Sequence, residues 1–237
     1  MNYKYLHFES LDSTNKYVKD HYDELPDLVF VSAEHQDKGR GRYDRSWVDT
    51  KGENLLFSVL IKNEEVLSLG GYLSVVIASS VSSVLESIGL LHVSIKWPND
   101  IYVNGKKICG ILLEGQLPNY LVVGIGVNIN ESNFDGEYRH EPTSAAIELG
   151  RRINVNSIKH LIFNDIFVKL SKISQYKEQS LYYFKSHNYL LGKEVEFKVD
   201  EKSIKGIVNG VDNDFNIIIE TENGEAKICS GEITEIK

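Results

Sequence analysis

The sequence predicts an α+β fold in which a mixed β-sheet flanked by helices is followed by a small all-β unit. Two observations carry this. Apolar runs of strand length alternate with helical stretches as far as about residue 187, and beyond Asn188 only short β runs remain, separated by turn residues. A third concerns the join: no repeat, low-complexity tract or Pro/Gly/Ser-rich linker divides the parts, so units of 1–187 and 188–237 should pack together. The 237 residues, 42% hydrophobic and 25% charged, suffice for a substantial core.

In chain order, Asp12 or Ser13 caps a helix reaching about Tyr22, with Tyr17 and Val18 on its inner side. Leu28 to Ala33 reads as a strand that delivers Gln36 and the loop after it. Asn54 to Lys62 is a second strand, and Leu69 to Ile88 a largely buried helix whose Ser and Ala residues permit close packing. Val93 to Trp97 is a strand broken by Pro98. Asn104-Gly105 then makes a two-residue hairpin turn, because both residues tolerate positive φ. Ile108 to Glu114 and Tyr120 to Ile129 continue the sheet. Thr143-Ser144 caps a short helix ending at Gly150, and Ser157 to about Tyr183 forms one long helix or two. The β runs of the second unit are Val195–Phe197, Ile204–Val211, Phe215–Glu220 and Ala226–Cys229, the spacing of a small barrel.

The net charge of −8 argues against nonspecific DNA binding, which needs a basic stripe. Residues 36–51 reverse that balance locally: Lys38, Arg40, Arg42, Arg45 and Lys51 face Asp37, Asp44 and Asp49, which points to a small anionic ligand. The N-terminus has no apolar signal region and no run is long enough to span a bilayer, so a cytoplasmic protein is expected. Cys109 and Cys229 are the two cysteines, without metal-ligand spacing, and read as reduced thiols.

Two segments carry the chemistry. Lys96-Trp97-Pro98-Asn99-Asp100 sets a lysine behind a rigid corner among apolar strands, where burial is costly unless the ammonium meets an anion. In Gly39-Arg40-Gly41-Arg42, glycine lets a ligand approach the backbone while guanidinium offers bidentate bonds to carboxylate or phosphate. Alternation along the hairpin lets only one of Lys106 and Lys107 face a pocket.

Together these segments resemble the biotin protein ligase family, whose adenylation loop reads Gly-Arg-Gly-Arg and whose second motif reads Lys-Trp-Pro-Asn-Asp before a lysine-bearing strand. Asp12-Ser13-Thr14-Asn15 and Gly124-Ile125-Gly126-Val127-Asn128 extend the likeness over most of residues 1 to 185. The resemblance implies a catalytic domain like those of class II aminoacyl-tRNA synthetases and lipoate ligases, with a C-terminal SH3-like barrel. It implies ATP and biotin as substrates with Mg²⁺, biotinyl-5′-AMP as intermediate, and a biotin carboxyl carrier domain as acceptor.

Carried over residue by residue, the resemblance makes Lys107, Arg42 and Asp100 catalytic. It assigns Ser13, Thr14, Asn15, Gln36, Gly39, Arg40, Gly41, Arg42, Lys107 and Gly110 to biotin. Arg42, Trp47, Asn99, Lys107 and Asn128 fall to the nucleotide, and no protein metal ligand is assigned. Asp100 either steers Mg²⁺ or orients the acceptor lysine. Blander readings stand beside these: helix capping for residues 13–15, a turn for Asn99-Asp100, a core anchor for Trp47 and a strand-end amide for Asn128. Asp44 stands where the family often has a small residue. The first motif begins at residue 12, which leaves no room for the DNA-binding domain many relatives carry, so an enzyme without DNA or membrane partners is expected. A homodimer is left open. A lipoate or octanoyl ligase is the nearest alternative, and a noncatalytic nucleotide-binding or carrier-docking protein is the alternative from another class. The second unit, lacking an anion-binding cluster, is expected to serve carrier recognition, nucleotide closure or stability.

Overall fold

The computed structural model describes residues 3–43, 45–135, 138–199, 202–229 and 231–236. Asp44 therefore lies outside the described residues. A seven-stranded sheet holds β1 (Tyr5–Phe8), β2 (Phe30–Ala33), β3 (Leu55–Ile61), β4 (Val93–Lys96), β5 (Asp100–Val103), β6 (Lys106–Gln116) and β7 (Tyr120–Val127) in the order β1-β2-β3-β7-β6-β5-β4. Only β1 and β2 run parallel; every other pair is antiparallel, so the sheet is mixed as expected. β1 was not legible in the sequence, since it is only four residues long and three of them are exposed at the sheet edge.

Helices cover both faces. On one side α1 (Thr14–Asp20) packs on β2, β3 and β7, and Val18 joins Val29, Val31, Leu60 and Val122 in a small core. On the other, α3 (Leu73–Ser87) lies against the sheet and is backed by α5 (Val155–Ser171) and α6 (Ile173–Ser186). Burial on both faces explains why β3 is apolar at every position but Ser58. The expected helix from Leu69 starts later: α2 (Glu64–Leu67), capped by Asn63, and a 3-10 turn over Gly70–Tyr72 precede α3. The stretch from Ser157 resolves into two helices that break at Lys172. α4 (Ala145–Leu149) is capped by Ser144 and ends on a left-handed Gly150, φ 64°.

Beyond residue 193, β8 (Glu194–Val199), β9 (Lys202–Val211), β10 (Ile217–Thr221), β11 (Gly224–Ile228) and β12 (Glu232–Ile236) form an antiparallel sheet ordered β11-β10-β9-β8-β12. β12 was missed by the sequence reading, which ended the last strand at Cys229. The two sheets share one continuous core. Its hinge pin is Trp97, 2% exposed, whose ring lies 5.8 Å from that of Phe197 and whose indole N–H donates to the Phe215 carbonyl at 3.1 Å. The crossing chain also pairs with the edge strand β4: Ile95 N–H donates to His187 O at 2.7 Å and Tyr189 N–H to Ile95 O at 3.0 Å. Both ladder groups that edge strands usually leave to solvent are thereby used.

Candidate active site

A cavity of about 570 Å³ opens where the loops after β2 and β4 meet the middle of β6 and β7. One end is polar and neutral. Ser13 caps α1 by accepting from Lys16 N–H, which places Thr14 and Asn15 in the first turn, pointing at the sheet. Gln36 Oε1 accepts twice from Thr14, from N–H at 2.8 Å and from Oγ1 at 3.0 Å. The buried Ser58 hydroxyl bridges Thr14 Oγ1 at 2.7 Å and Asn15 Oδ1 at 2.6 Å.

The other end is cationic. Lys107 Nζ sits 2.8 Å from Asp100 Oδ1 and faces the cavity, while Lys106 turns outward to Glu141. Of the two neighbouring lysines the hairpin register thus brings Lys107 to the cavity. Arg42 donates to Asn99 Oδ1 at 3.2 Å and to the Gly231 carbonyl at 3.3 Å; Arg40 lines the same wall. The loop carrying these arginines is a narrow hairpin held by its own backbone. Gly41 N–H donates to Arg45 O at 2.7 Å and Trp47 N–H to Gly39 O at 3.0 Å. A Cβ on Gly39 would come 2.4 Å from the Trp47 carbonyl, so glycine is required for the two legs to close.

Trp47 lies on a floor made by Gly110 and Gly126, which are paired across β6 and β7. A Cβ on Gly126 would stand 2.5 Å from the indole, so the bare backbone is what admits the ring. The loop base is tied by Asp49, whose buried carboxylate meets His35 Nδ1 at 2.8 Å and is pushed up in pKa chiefly by burial.

Ser13, Thr14, Asn15, Gln36, Arg40, Gly41, Arg42, Trp47, Asn99, Asp100, Lys107 and Gly110 all line this cavity. Gly39 does not; it lines an adjoining concavity on the outer side of the loop. Nor does Asn128 reach the cavity: its amide donates to the Thr143 carbonyl at 3.0 Å, and its backbone joins β6 to α4, so its bonds support the wall from behind.

Sequence reasoning missed several contributors, among them Gly231–Ile233, Arg139 and His140. Gly231–Ile233 of the second unit reach the cavity mouth, where Glu232 pairs with both Arg45 and Arg139. The second unit therefore helps enclose the site. No local signal in residues 231–233 announced this, because the contact joins segments more than ninety residues apart. Lys96, noted for its burial, has as its immediate partner His140, which it meets at 2.8 Å, with the Tyr102 ring 5.6 Å away.

Burial, partly offset by Asp100, pushes Lys96 down to about 8 from 10.5, and burial together with Lys96 pushes His140 down to about 4. His140 is neutral at pH 7 and accepts from the Lys96 ammonium through Nε2. Because the folded pKa of Lys96 lies below its unfolded value, the unfolded chain binds the extra proton between them, and stability should rise with pH from about 8 to 10.5. Lys96→Met should flatten that rise. Urea unfolding across this range checks it; equal slopes in both proteins would contradict the assignment.

Residues 7–130 match the Biotin/lipoate A/B protein ligase family, and residues 190–234 match the Biotin protein ligase C terminal domain. The chain belongs to the biotin/lipoate protein ligase family. Among solved structures similar to this family member is the biotin protein ligase from Aquifex aeolicus in complex with biotin and ATP, with TM-score 0.88 and 29% identity, covering 99% of this chain and 98% of that one. The bifunctional ligase/repressor BirA of Escherichia coli strain K12 is 28% identical over 229 residues, 94% of this chain and 71% of that protein. The biotin–[acetyl-CoA-carboxylase] ligase of Mycobacterium tuberculosis strain H37Rv is 23% identical over 220 residues, 89% of this chain and 80% of that protein. The fold and the family membership agree with the sequence reading. Among the described residues both cysteines are free, Cys109 buried and Cys229 exposed, and no helix is long and apolar enough to cross a membrane.

Proposed function

We propose that this family member is a biotin protein ligase, a biotin–[acetyl-CoA-carboxylase] ligase that activates biotin with ATP and passes it to a lysine of a carboxyl carrier domain. The observation that carries the reading is a single cavity with a neutral polar end at residues 13–15 and 36 and a cationic end at Arg40, Arg42 and Lys107. A molecule with a urea ring at one end and a carboxylate at the other suits it.

In the first step the biotin carboxylate attacks the α-phosphorus of ATP and pyrophosphate leaves. Lys107 and Arg42 offset the charge that builds on the phosphoryl oxygens, the kind of help such transfers chiefly need. In the second, the carrier lysine amine attacks the acyl carbon of the mixed anhydride and AMP leaves; no side-chain nucleophile is called for. Asp100, now bonded to Lys107, is exchanged for the incoming anion and becomes available to orient the acceptor amine. Mg²⁺ is assigned to the phosphates of ATP as part of the substrate, with no protein ligand named.

Trp47, Asn99 and the mouth residues are assigned to the nucleotide side, with Asn128 supporting them from behind. We place the functional boundary at 187/188, with the second unit closing the mouth and meeting the carrier. The acidic chain would dock its carrier by backbone pairing and local patches more than by global attraction. Biotin-dependent exchange between ATP and pyrophosphate tests the activation step, and transfer of labelled biotin to a carrier domain tests the second. Exchange that depends on lipoate or octanoate instead would select the alternative ligase, and exchange with neither would leave a nucleotide-binding or docking protein.

Glu232 ties Arg45 and Arg139 across the mouth, so the Gly-Arg hairpin should be held through this ion pair as well as its own backbone bonds. Glu232→Gln should speed hydrogen exchange over residues 39–47 severalfold in the ligand-free protein, and biotin plus ATP should restore protection. Unchanged exchange in the variant would remove Glu232 from the closure of the loop.

A further inference from the structure

Behind the polar end of the cavity, Glu114 on β6 accepts from Asn15 Nδ2 at 2.7 Å and from Lys19 Nζ at 2.6 Å. Neither Glu114 nor Lys19 lines the cavity. A carboxylate only accepts, so the Asn15 amide has one orientation: its nitrogen faces Glu114, and its oxygen faces Ser58 and the Gly124 backbone. Gly124 shows how little freedom remains, since a Cβ there would stand 2.3 Å from Asn15 Oδ1. Gln36 is oriented by the same logic. Its Oε1 is taken by both Thr14 donors, which leaves its N–H groups for the cavity. Both residues line the cavity, so with the amides held this way the polar end offers the remaining lone pair of Asn15 Oδ1 as acceptor and the Gln36 N–H groups as donors.

We propose that Glu114, held by Lys19, is a positioning residue that sets the hydrogen-bond polarity of this end and thereby selects a cyclic urea over a sulfur ring or plain alkyl chain. The inference rests on the reading of the cavity as a biotin site. A urea offers N–H groups beside a carbonyl, the complement of that acceptor and donor, whereas a dithiolane or an alkyl chain would add nothing to Asn15 Oδ1 beyond its Ser58 bond and would leave the Gln36 N–H groups without a partner once the ligand excludes water. Burial alone would raise the Glu114 pKa, but the bonds from Lys19 and Asn15 outweigh it and hold the group below its ordinary value, so the carboxylate stays ionised at neutral pH.

Replacing Glu114 by Gln removes the constraint, because a glutamine amide both donates and accepts and lets Asn15 turn. Calorimetric titration of the whole protein with biotin, desthiobiotin and lipoate reads the effect. Desthiobiotin keeps the urea, and lipoate keeps the valerate chain without it. Glu114→Gln should weaken biotin and desthiobiotin by about tenfold, the size of one lost buried bond. It should leave lipoate within about twofold, and the rate of adenylate formation at saturating biotin should hardly change. Lys19→Gln, a change at a partly exposed side chain, should act in the same direction by about threefold. Equal weakening of all three ligands would show a merely structural role and overturn the proposal, as would an unchanged preference for biotin in both variants. A wild-type protein that binds lipoate as tightly as biotin would instead overturn the functional reading itself.

Discussion

Lys107→Ala is expected to slow biotinyl-adenylate formation by roughly two to three orders of magnitude, the range seen when one preorganised charge donor is removed. Its ammonium lies in the cavity 2.8 Å from Asp100, on a strand fixed on both sides by antiparallel pairing. Such a donor needs no reorganisation when charge develops, and truncation also leaves Asp100 without its partner. Arg42→Ala should fall in the same range, since this guanidinium is oriented by Asn99 and Gly231. Lys106→Ala is the control. Its side chain points outward to Glu141 and its loss should change the rate less than threefold. Single-turnover formation of adenylate from biotin and ATP separates these outcomes, and a larger loss at Lys106 than at Lys107 would contradict the register seen here.

The second large effect concerns stability. Trp97→Ala should cost about 3–5 kcal/mol, the usual range for truncating a buried large aromatic. The ring is 2% exposed, packs beside Phe197 of β8 and Phe215 of the β9–β10 turn, and spends its N–H on the Phe215 carbonyl. Removal leaves a cavity at the junction and an unpaired carbonyl, so both sheets lose their common support. Thermal melting followed by tryptophan fluorescence, with Trp47 as the remaining reporter, should show a lower and broader transition. A melt within two degrees of wild type would mean the sheets are held chiefly elsewhere.

Much of the site was legible because its chemistry is local. Gly39 to Arg42 advertise a loop that lets an anion approach, and Asn104-Gly105 fixes a two-residue turn, after which alternation lets only one of Lys106 and Lys107 face a pocket and the family resemblance selects Lys107. The α1 cap was legible for the same reason: Ser13 needs only its own helix to act. Where the reading fell short, the missing information was nonlocal. Asn128 sits in a motif suited to a ligand, yet its amide is spent on Thr143, a partner fifteen residues away that only the folded loop brings near. β1 and β12 are short edge strands whose existence depends on the neighbour they pair with.

The sequence by itself determined the α+β class, the change to all-β character after residue 188, the Gly-Arg loop and the family, because periodicity, turn chemistry and short motifs are written in adjacent residues. Only the tertiary structure decided that Glu232 reaches back across the mouth to Arg45 and Arg139, that Trp47 rests on Gly110 and Gly126, and that Glu114 orients Asn15. Each of these joins groups far apart in the chain. Their geometry is set by which strands become neighbours, and strand neighbours are chosen by the packing of the whole core rather than by any one segment.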